Sequence, residues 1–239
     1  MKKNLVTMKL VILAAGQGTR MLPLTENKPK AMIELKGKPI LQWILERASE
    51  AGIKQAGIVI GFRRETITSF FGKKFMGIEI EYLEQKQHLG TASAIQLAKK
   101  FAGKEFIAVY GDVIPGKGLL EKLSMEKGAD VVIVARQTSE PWKYGCLELE
   151  GSKVKGIIEK PAKGKMEKAW ANAGIYKFTG RIFEAIEKTS KSKRGEYEIT
   201  DSIMLLAGHG KVECIKWEKE ITDIGNIQEL GEAGKRKSV

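Results

Sequence analysis

The stretch Leu13-Ala14-Ala15-Gly16-Gln17-Gly18-Thr19-Arg20-Met21-Leu22-Pro23, running on to Lys28-Pro29-Lys30, decides how the chain is read. A short apolar run, Leu10 to Leu13, precedes it and reads as a buried strand. Two glycines one residue apart allow a tight turn whose N–H groups stay uncovered, and such a turn can wrap an anion. Thr19 adds a hydroxyl donor. Arg20, Lys28 and Lys30 bring positive charge to the same place. Strand, bare turn and basic residues together point to a polyphosphate site. Two other phosphate loops do not fit. The dinucleotide fingerprint needs a third glycine where Met21 stands, and Pro23 soon interrupts any helix. The P-loop needs Gly-Lys-Ser/Thr closing its turn, which is absent.

Beyond the glycine loop, strand and helix patterns alternate. Pro39 to Gly52 reads as a helix: Pro39 suits a first turn, Ile40, Leu41, Ile44, Leu45 and Ala48 share one face, and Gly52 stops it. Ile58 to Gly61 is a buried strand, Arg64 to Phe71 a helix, and Ile78 to Leu83 an alternating strand. Thr91 to Lys100 reads as one alanine-rich helix, Phe106 to Tyr110 as a strand, Leu119 to Lys127 as a helix and Asp130 to Ala135 as a strand. This order is the sequence form of a mostly parallel sheet with helices on both faces. From about Trp142 the rhythm changes. Tyr144 to Glu150, Val154 to Ile158 and Ala171 to Phe178 read as strands. Helices follow at Arg181 to Lys188 and Ile199 to Ala207, then a strand at Val212 to Lys216 and a helix at Ile227 to Gly234. The expectation is a single α/β domain over 1–239, with residues of about 8–140 on the nucleotide side and about 141–239 forming a β-rich part beside the cleft.

The totals set bounds. At 239 residues, 43% hydrophobic and 29% charged, the chain has the composition of a globular protein with a sizeable core. No apolar run approaches a membrane span, and residues 1–7 read as a basic extension rather than a secretory signal. The two cysteines, Cys146 and Cys214, are far apart, which argues against a disulfide framework or zinc site and fits a reducing cytoplasm. The two histidines, His88 and His209, are equally isolated, so histidine catalysis is not the expectation. The net charge of +12 first suggests nucleic acid. The lysines are nevertheless scattered among glutamates, and Lys235-Arg236-Lys237 reads as a solvated end. A protein that binds a polyphosphate needs no polymer to explain its charge.

Two further features carry chemistry. Asp112 follows the strand Phe106 to Tyr110, and ligands of open parallel sheets bind beyond the carboxyl ends of the strands. A carboxylate there can hold Mg²⁺ against a triphosphate. Glu159-Lys160-Pro161 follows the strand Val154 to Ile158, so both charged side chains sit at a strand end stopped by proline.

The glycine loop with Thr-Arg after it, Pro23, and Pro29-Lys30 resembles the signature of the sugar-1-phosphate nucleotidyltransferases. Tyr110-Gly111-Asp112, Tyr144-Gly145, Glu159-Lys160-Pro161, Asn172-Ala173-Gly174-Ile175-Tyr176 and Arg194-Gly195-Glu196-Tyr197-Glu198-Ile199-Thr200-Asp201 resemble further blocks of that family, in its order. Thr222-Asp223-Ile224-Gly225 after Trp217 is similar to its second metal-bearing element, though the spacer Glu218-Lys219-Glu220-Ile221 is longer here. The resemblance covers nearly the whole chain from Met8. It implies a three-layer, Rossmann-like α/β fold. It also implies Mg²⁺ on Asp112 and Asp223, and a nucleotide on Leu13, Ala14, Ala15, Gly16, Gly18, Thr19, Arg20, Lys30, Gln85, Gly90 and Thr91. The sugar would lie on Gly145, Glu159, Lys160, Asn172 and Arg194. Arg20, Lys30, Lys160 and Asp112 would carry the chemistry, and Gln85 would read a uracil or thymine edge.

The implied reaction joins an NTP and a sugar 1-phosphate into an NDP-sugar and pyrophosphate. UTP or dTTP is expected ahead of other bases, in a cytoplasmic protein with neither nucleic-acid nor membrane partner. A homo-oligomer is compatible with this reading. A guanylyl- or cytidylyltransferase, and a non-catalytic nucleotide-binding regulator on the same fold, stay open at this point.

Overall fold

The structure is a computed structural model that describes residues 8–208 and 211–236. The basic extension 1–7, His209 and Lys237 of the terminal basic cluster lie outside the described residues. In the first part the elements run β1 (Lys9–Leu13), the hairpin β2 (Glu34–Leu35) and β3 (Lys38–Pro39), α1 (Ile40–Glu50), β4 (Gln55–Ile60), α2 (Arg64–Phe71), β5 (Lys74–Phe75) and β6 (Ile78–Glu84). They continue through α3 (Thr91–Gln96), α4 (Lys99–Ala102), β7 (Glu105–Tyr110), β8 (Val113–Ile114), α5 (Leu119–Met125) and β9 (Val131–Thr138). The second part adds β10 (Gly145–Glu150), β11 (Lys153–Glu159), β12 (Ala169–Thr179), α6 (Arg181–Glu187), α7 (Ile199–Ala207), β13 (Val212–Lys216), β14 (Thr222–Asp223) and α8 (Ile227–Lys235).

Among the described residues one ten-stranded sheet has the order β10-β11-β13-β9-β12-β7-β1-β4-β6-β5. Its central strands β1, β4 and β7 are buried on both faces, which is why they read as continuous apolar runs rather than alternations. Leu10, Ile12, Ile58, Val109 and Val134 pack with α1, α2 and α5 on one face. Val11, Val59, Phe106, Ile133 and Phe178 pack with α3, α4, α6 and α7 on the other. The result is three α/β layers.

The sheet is mixed rather than mostly parallel. β7, β1, β4 and β6 run parallel. β12 is inserted antiparallel between β7 and β9, and β10 and β11 pair antiparallel at the edge. An apolar strand buried on both faces carries no sign of its direction, so periodicity could not show this. The expected helix Thr91 to Lys100 is also two short helices. Ala98 N–H bonds Ile95 O at 2.9 Å, and this i→i−3 bond tightens the chain into a break between them.

Two close approaches position the sheet's functional end. Gly111 N–H donates to Leu13 O at 2.9 Å. A Cβ on Gly111 would stand 2.6 Å from that oxygen and 3.0 Å from Ala14 Cα, both backbone atoms that cannot yield. Only glycine lets the end of β7 press against the end of β1, and Asp112 is the next residue. In β12 the register slips between Asn172 and Tyr176. Gly174 sits in this bulge at φ +71°, facing the Tyr110 ring at 2.7 Å from where a Cβ would be. Gly111→Ala should therefore lower stability by about 1–3 kcal/mol, the usual cost of overpacking. Urea unfolding of the two proteins checks this, and equal midpoints would show that the approach of β7 to β1 is not sterically fixed.

Candidate active site

The glycine loop follows β1 directly. Gly18 is left-handed, at φ 69° and ψ 45°, and precedes a 3-10 turn over Thr19–Met21. Its carbonyl accepts from Thr25 Oγ1 at 2.8 Å. A Cβ there would meet Lys30 Cβ at 2.8 Å, so the loop rests on the lysine stem. That contact aims Lys30 at the end of β7, where its Nζ donates to Asp112 Oδ2 at 2.5 Å. Gly16, Thr19 and Arg20 are exposed on the loop.

Asp223 approaches from the other side. β14 pairs antiparallel with β8, and Ile224 N–H donates to Asp112 O at 3.0 Å. The long spacer after Trp217 is accommodated because Gly116 has no side chain to strike the Glu220 carbonyl. The segment beyond Asp223 is locked at the start of α8. Asn226 Oδ1 accepts from Glu229 N–H at 3.0 Å, and Glu229 Oε2 accepts from Gly225 N–H at 2.6 Å. Asn226 is therefore the cap of α8, so the Asp223 carboxylate is not used in capping. Arg136, near the end of β9, donates to Asp223 Oδ2 at 2.8 Å and lies 4.5 Å from the Tyr144 ring centroid. Burial, with the Asp112 carboxylate facing it, pushes Asp223 up to about 6, while Arg136 pulls the other way.

One cleft of about 290 Å³ opens between β1, β7 and the start of α3. Leu13, Ala14, Ala15, Gly16, Lys30, Gln85, Gly90, Thr91 and Asp112 line it, so most of the expected nucleotide residues meet in one place. Gly18, Thr19 and Arg20 stay on the loop outside its wall. Gln85 is buried; its backbone N–H donates to Ile60 O at 2.8 Å, and its side-chain amide makes no hydrogen bond among the described residues. Gly90 takes φ +106°, and a Cβ would lie 2.5 Å from Tyr197 O.

The expected sugar residues form a neighbouring group. Gly145 pairs with Glu159 across β10 and β11, and Cys146 pairs with Ala171, one residue before Asn172. A Cβ on Gly145 would stand 2.9 Å from Glu159 Oε2, so glycine lets that carboxylate lie over the backbone. Lys160 is held at φ 44°, a conformation uncommon outside glycine, with its N–H on Tyr144 O at 3.1 Å. Asn172, expected on the sugar, is already partly engaged within the protein. Its Nδ2 donates to Tyr176 Oη at 2.7 Å, and its Oδ1 accepts from Gly174 N–H at 3.0 Å, which leaves one N–H and one lone pair. Arg194 is paired with Glu198 at 2.7 Å on an exposed loop.

Sequence reasoning missed three residues. Arg136 could have been found as a charged residue closing an apolar strand, the same signal that marks Asp112. His88, which carries no motif, and Glu196, which stands inside the Arg194 to Asp201 block without an expected role of its own, also line the cleft.

Topology and cleft together define an open α/β sheet whose cleft lies at the carboxyl ends of its central strands, where folds of this kind bind ligands. A family model described as nucleotidyl transferase matches residues 9–238, and the chain belongs to that family. It is 35% identical over 230 residues to the bifunctional protein GlmU of Methanococcus maripaludis, covering 96% of this chain and 54% of that protein. It is 33% identical over 235 residues to the UTP–glucose-1-phosphate uridylyltransferase AglF of Haloferax volcanii, covering 96% of each. The crystal structure of a UDP-glucose pyrophosphorylase complexed with UDP-glucose superposes with a TM-score of 0.85 at 25% identity, covering 95% of this chain and 97% of that one. The chain spans about half the length of the GlmU relatives it matches.

The Asp223 shift has a consequence for stability. Its carboxyl lies above the ordinary value of 3.8, so between about pH 4 and 6 the folded chain keeps a proton that the unfolded chain has released. The contribution of Asp223 to stability therefore falls as pH rises through that window. Asp223→Asn removes the buried charge. With divalent cations chelated, it should be more stable than the wild type above pH 6 by on the order of 1–2 kcal/mol, the loss of Arg136's partner offsetting part of the gain. The difference should vanish near pH 4. Thermal melts of both proteins from pH 4 to 8 measure it, and a gap independent of pH would refute the assignment.

Proposed function

We propose that this chain transfers a nucleotidyl group from an NTP, with UTP or dTTP favoured, to a sugar 1-phosphate, giving an NDP-sugar and pyrophosphate. The observation that carries the reading is the pair Asp112 and Asp223, joined through the β8–β14 ribbon and each matched by a cation, Lys30 at 2.5 Å and Arg136 at 2.8 Å. Two acidic groups gathered beside a nucleotide-sized cleft, and both already answered by positive charge, suit a cationic ligand. The donors are hard oxygens. Among the described residues no group of three or more His, Cys, Asp or Glu is arranged around a metal. Mg²⁺ needs no such cage, because it is held through one or two carboxylates together with substrate phosphates. Asp112 and Asp223 would hold it, and it would supply charge neutralisation on the phosphates.

The residues of the chain divide the remaining work. Gly16 and Gly18 offer uncovered backbone N–H groups to the triphosphate, with Thr19, Arg20 and Lys30 adding donors and charge. Lys160 holds the sugar phosphate, and Glu159, Asn172 and Gly145 bound the sugar. The attacking phosphate oxygen is already anionic, so no general base is required, and positioning plus charge stabilisation supplies the catalysis. Residues of about 8–140 serve the nucleotide and about 141–239 the sugar. The match to AglF over 96% of both chains supports a uridylyl donor, as does the uncommitted amide of buried Gln85, which can accept from N3–H and donate to O4 of uracil or thymine. Both cysteines are free, which supports a reducing, cytoplasmic setting. No described helix is long and apolar enough to cross a membrane. The substrates are small molecules, nucleic acid plays no part, and a homo-oligomer is compatible with the site.

A matrix of nucleoside triphosphates against sugar 1-phosphates, scored by pyrophosphate release, should show UTP or dTTP well ahead of GTP, ATP and CTP. Gln85→Ala should narrow that preference by roughly 1–3 kcal/mol, the cost of a lost buried hydrogen bond. A wild type that prefers GTP would overturn the base assignment. Separately, Lys30→Ala should raise KM mainly for the nucleotide and Lys160→Ala mainly for the sugar phosphate. Asp112→Ala or Asp223→Ala should abolish most turnover with the fold intact, and near-normal activity of both in Mg²⁺ would remove the metal assignment.

A further inference from the structure

Arg136 stands at the site outside the blocks that the sequence marks, and its own bonding is incomplete. Its Nη2 donates to Asp223 Oδ2 at 2.8 Å. Its Nε–H is buried and has no hydrogen-bond partner. A guanidinium placed for stability alone makes best use of its fork, with two parallel N–H bonds to one carboxylate. A buried donor left over is a cost that only a change of position or of partner removes.

The stem of Arg136 is fixed. Trp217 N–H donates to Ala135 O at 2.8 Å, and Arg136 itself is paired across the sheet with Ala171. The head lies over Tyr144, 4.5 Å from the ring centroid. A ring face attracts a cation without dictating how it is turned, so contact with Tyr144 survives a rotation of the guanidinium. Tyr144 also leads directly into Gly145, and its carbonyl accepts from Lys160 N–H at 3.1 Å. The ring under Arg136 thus belongs to the group assigned to the sugar phosphate.

Charge decides what Arg136 does to a metal. Asp112 and Asp223 are each matched within the chain, by Lys30 at 2.5 Å and by Arg136 at 2.8 Å, and all four side chains are at most a quarter exposed. Glu229, the next acid along, is turned to Gly225 N–H at 2.6 Å. A divalent cation approaching the two pairs finds their charge already balanced, and at Asp223 it finds a fixed positive charge on one oxygen. Partial shielding from water strengthens that repulsion. A triphosphate changes the balance, because it brings the negative charge that the pairs lack.

We propose that Arg136 is an exchangeable counter-ion: it holds Asp223 until a divalent cation accompanied by the triphosphate displaces it, and its guanidinium then serves the sugar phosphate beside Lys160. Arg136 and the metal exclude one another at Asp223, so the protein by itself binds metal weakly. The inference rests on the assignment of the metal to Asp112 and Asp223 and of the sugar phosphate to Lys160.

The test is equilibrium dialysis against Mn²⁺, which counts the ion bound to the protein, on the wild type, Arg136→Gln and Arg136→Lys. The pH is kept well above that at which Asp223 holds a proton. Glutamine removes the charge and keeps a donor for Asp223, whereas lysine keeps the charge and loses the fork. Without nucleotide, Arg136→Gln should bind Mn²⁺ roughly tenfold more tightly than the wild type or tighter still, and Arg136→Lys should stay as weak as the wild type. At saturating metal and UTP, Arg136→Gln should raise the sugar-1-phosphate KM roughly tenfold and the UTP KM much less. Equal Mn²⁺ affinity of wild type and Arg136→Gln is what a purely structural ion pair gives, and it overturns the proposal. Tighter Mn²⁺ binding with an unchanged sugar-phosphate KM overturns the change of partner, and so the proposal as stated. The wild type is decisive even if Arg136→Gln does not fold: Mn²⁺ held as tightly without UTP as with it also overturns the exchange. Protein that retains no Mn²⁺ even with UTP overturns the metal assignment itself, and the exchange falls with it.

Discussion

Two carboxylates that repel one another stand where this fold brings its first and second parts together. Asp112 follows β7 and Asp223 ends β14, and the β8–β14 ribbon forces them into one small volume. Their mutual repulsion, added to burial, raises Asp223 toward neutrality. Lys30 and Arg136 make the arrangement tolerable by supplying a cation to each. Three local features of the chain serve that meeting. Gly111 admits β7 to the end of β1, Gly18 seats the loop on the Lys30 stem, and the Asn226–Glu229 cap locks the turn after Asp223. Removing either cation alone would leave its carboxylate buried and uncompensated, which costs more than the ion pair itself contributes.

The mixed sheet explains why residues of the second part stand beside the cleft. A purely parallel sheet would lead every strand out at the same end and every return through a helix. Here β12 enters from the loop side, so its first residues, Ala169 to Asn172, lie beside the ends of β7 and β9 rather than at their beginnings. The antiparallel pair β10 and β11 places Gly145 against Glu159 at that same end. Strand direction, more than any single side chain, brings the second group of residues next to the nucleotide cleft.

Much of this was legible in the amino acids, for reasons that differ by element. α2 follows Arg64 to Phe71 as read, because its apolar face and the glycine after it leave little freedom. The alternation that forecast a three-layer α/β fold holds, since buried strands and one-sided helices each leave their own period. The residues that resemble the family's nucleotide blocks, Leu13 to Gly16, Lys30, Gln85, Gly90, Thr91 and Asp112, do gather in one cleft. The direction of β12 was not legible, because an apolar strand looks the same read either way. The break after Gln96 was hidden as well, since alanine-rich sequence fits one helix or two. Arg136 carries the same strand-end signal as Asp112, but its partner lies 87 positions away, and spacing along one chain does not reveal such a pair.

Lys160 shows how local strain and site geometry are connected. A non-glycine residue at φ 44° carries a backbone cost, and it persists only where its surroundings over-determine it. Here the hydrogen bond from Lys160 N–H to Tyr144 O, together with Pro161 immediately after, turns the chain sharply off the end of β11. That turn keeps Lys160 next to Glu159, whose carboxylate is in turn held over the bare Gly145 backbone. Tyr144 then presents its ring to Arg136, so the strained turn and the cation that holds Asp223 are separated by one residue. Relaxing Lys160 into an extended conformation would release Tyr144 O and loosen the support under Arg136. The left-handed turn is thus tied to the same constraint as the paired carboxylates, reached from the opposite wall of the site.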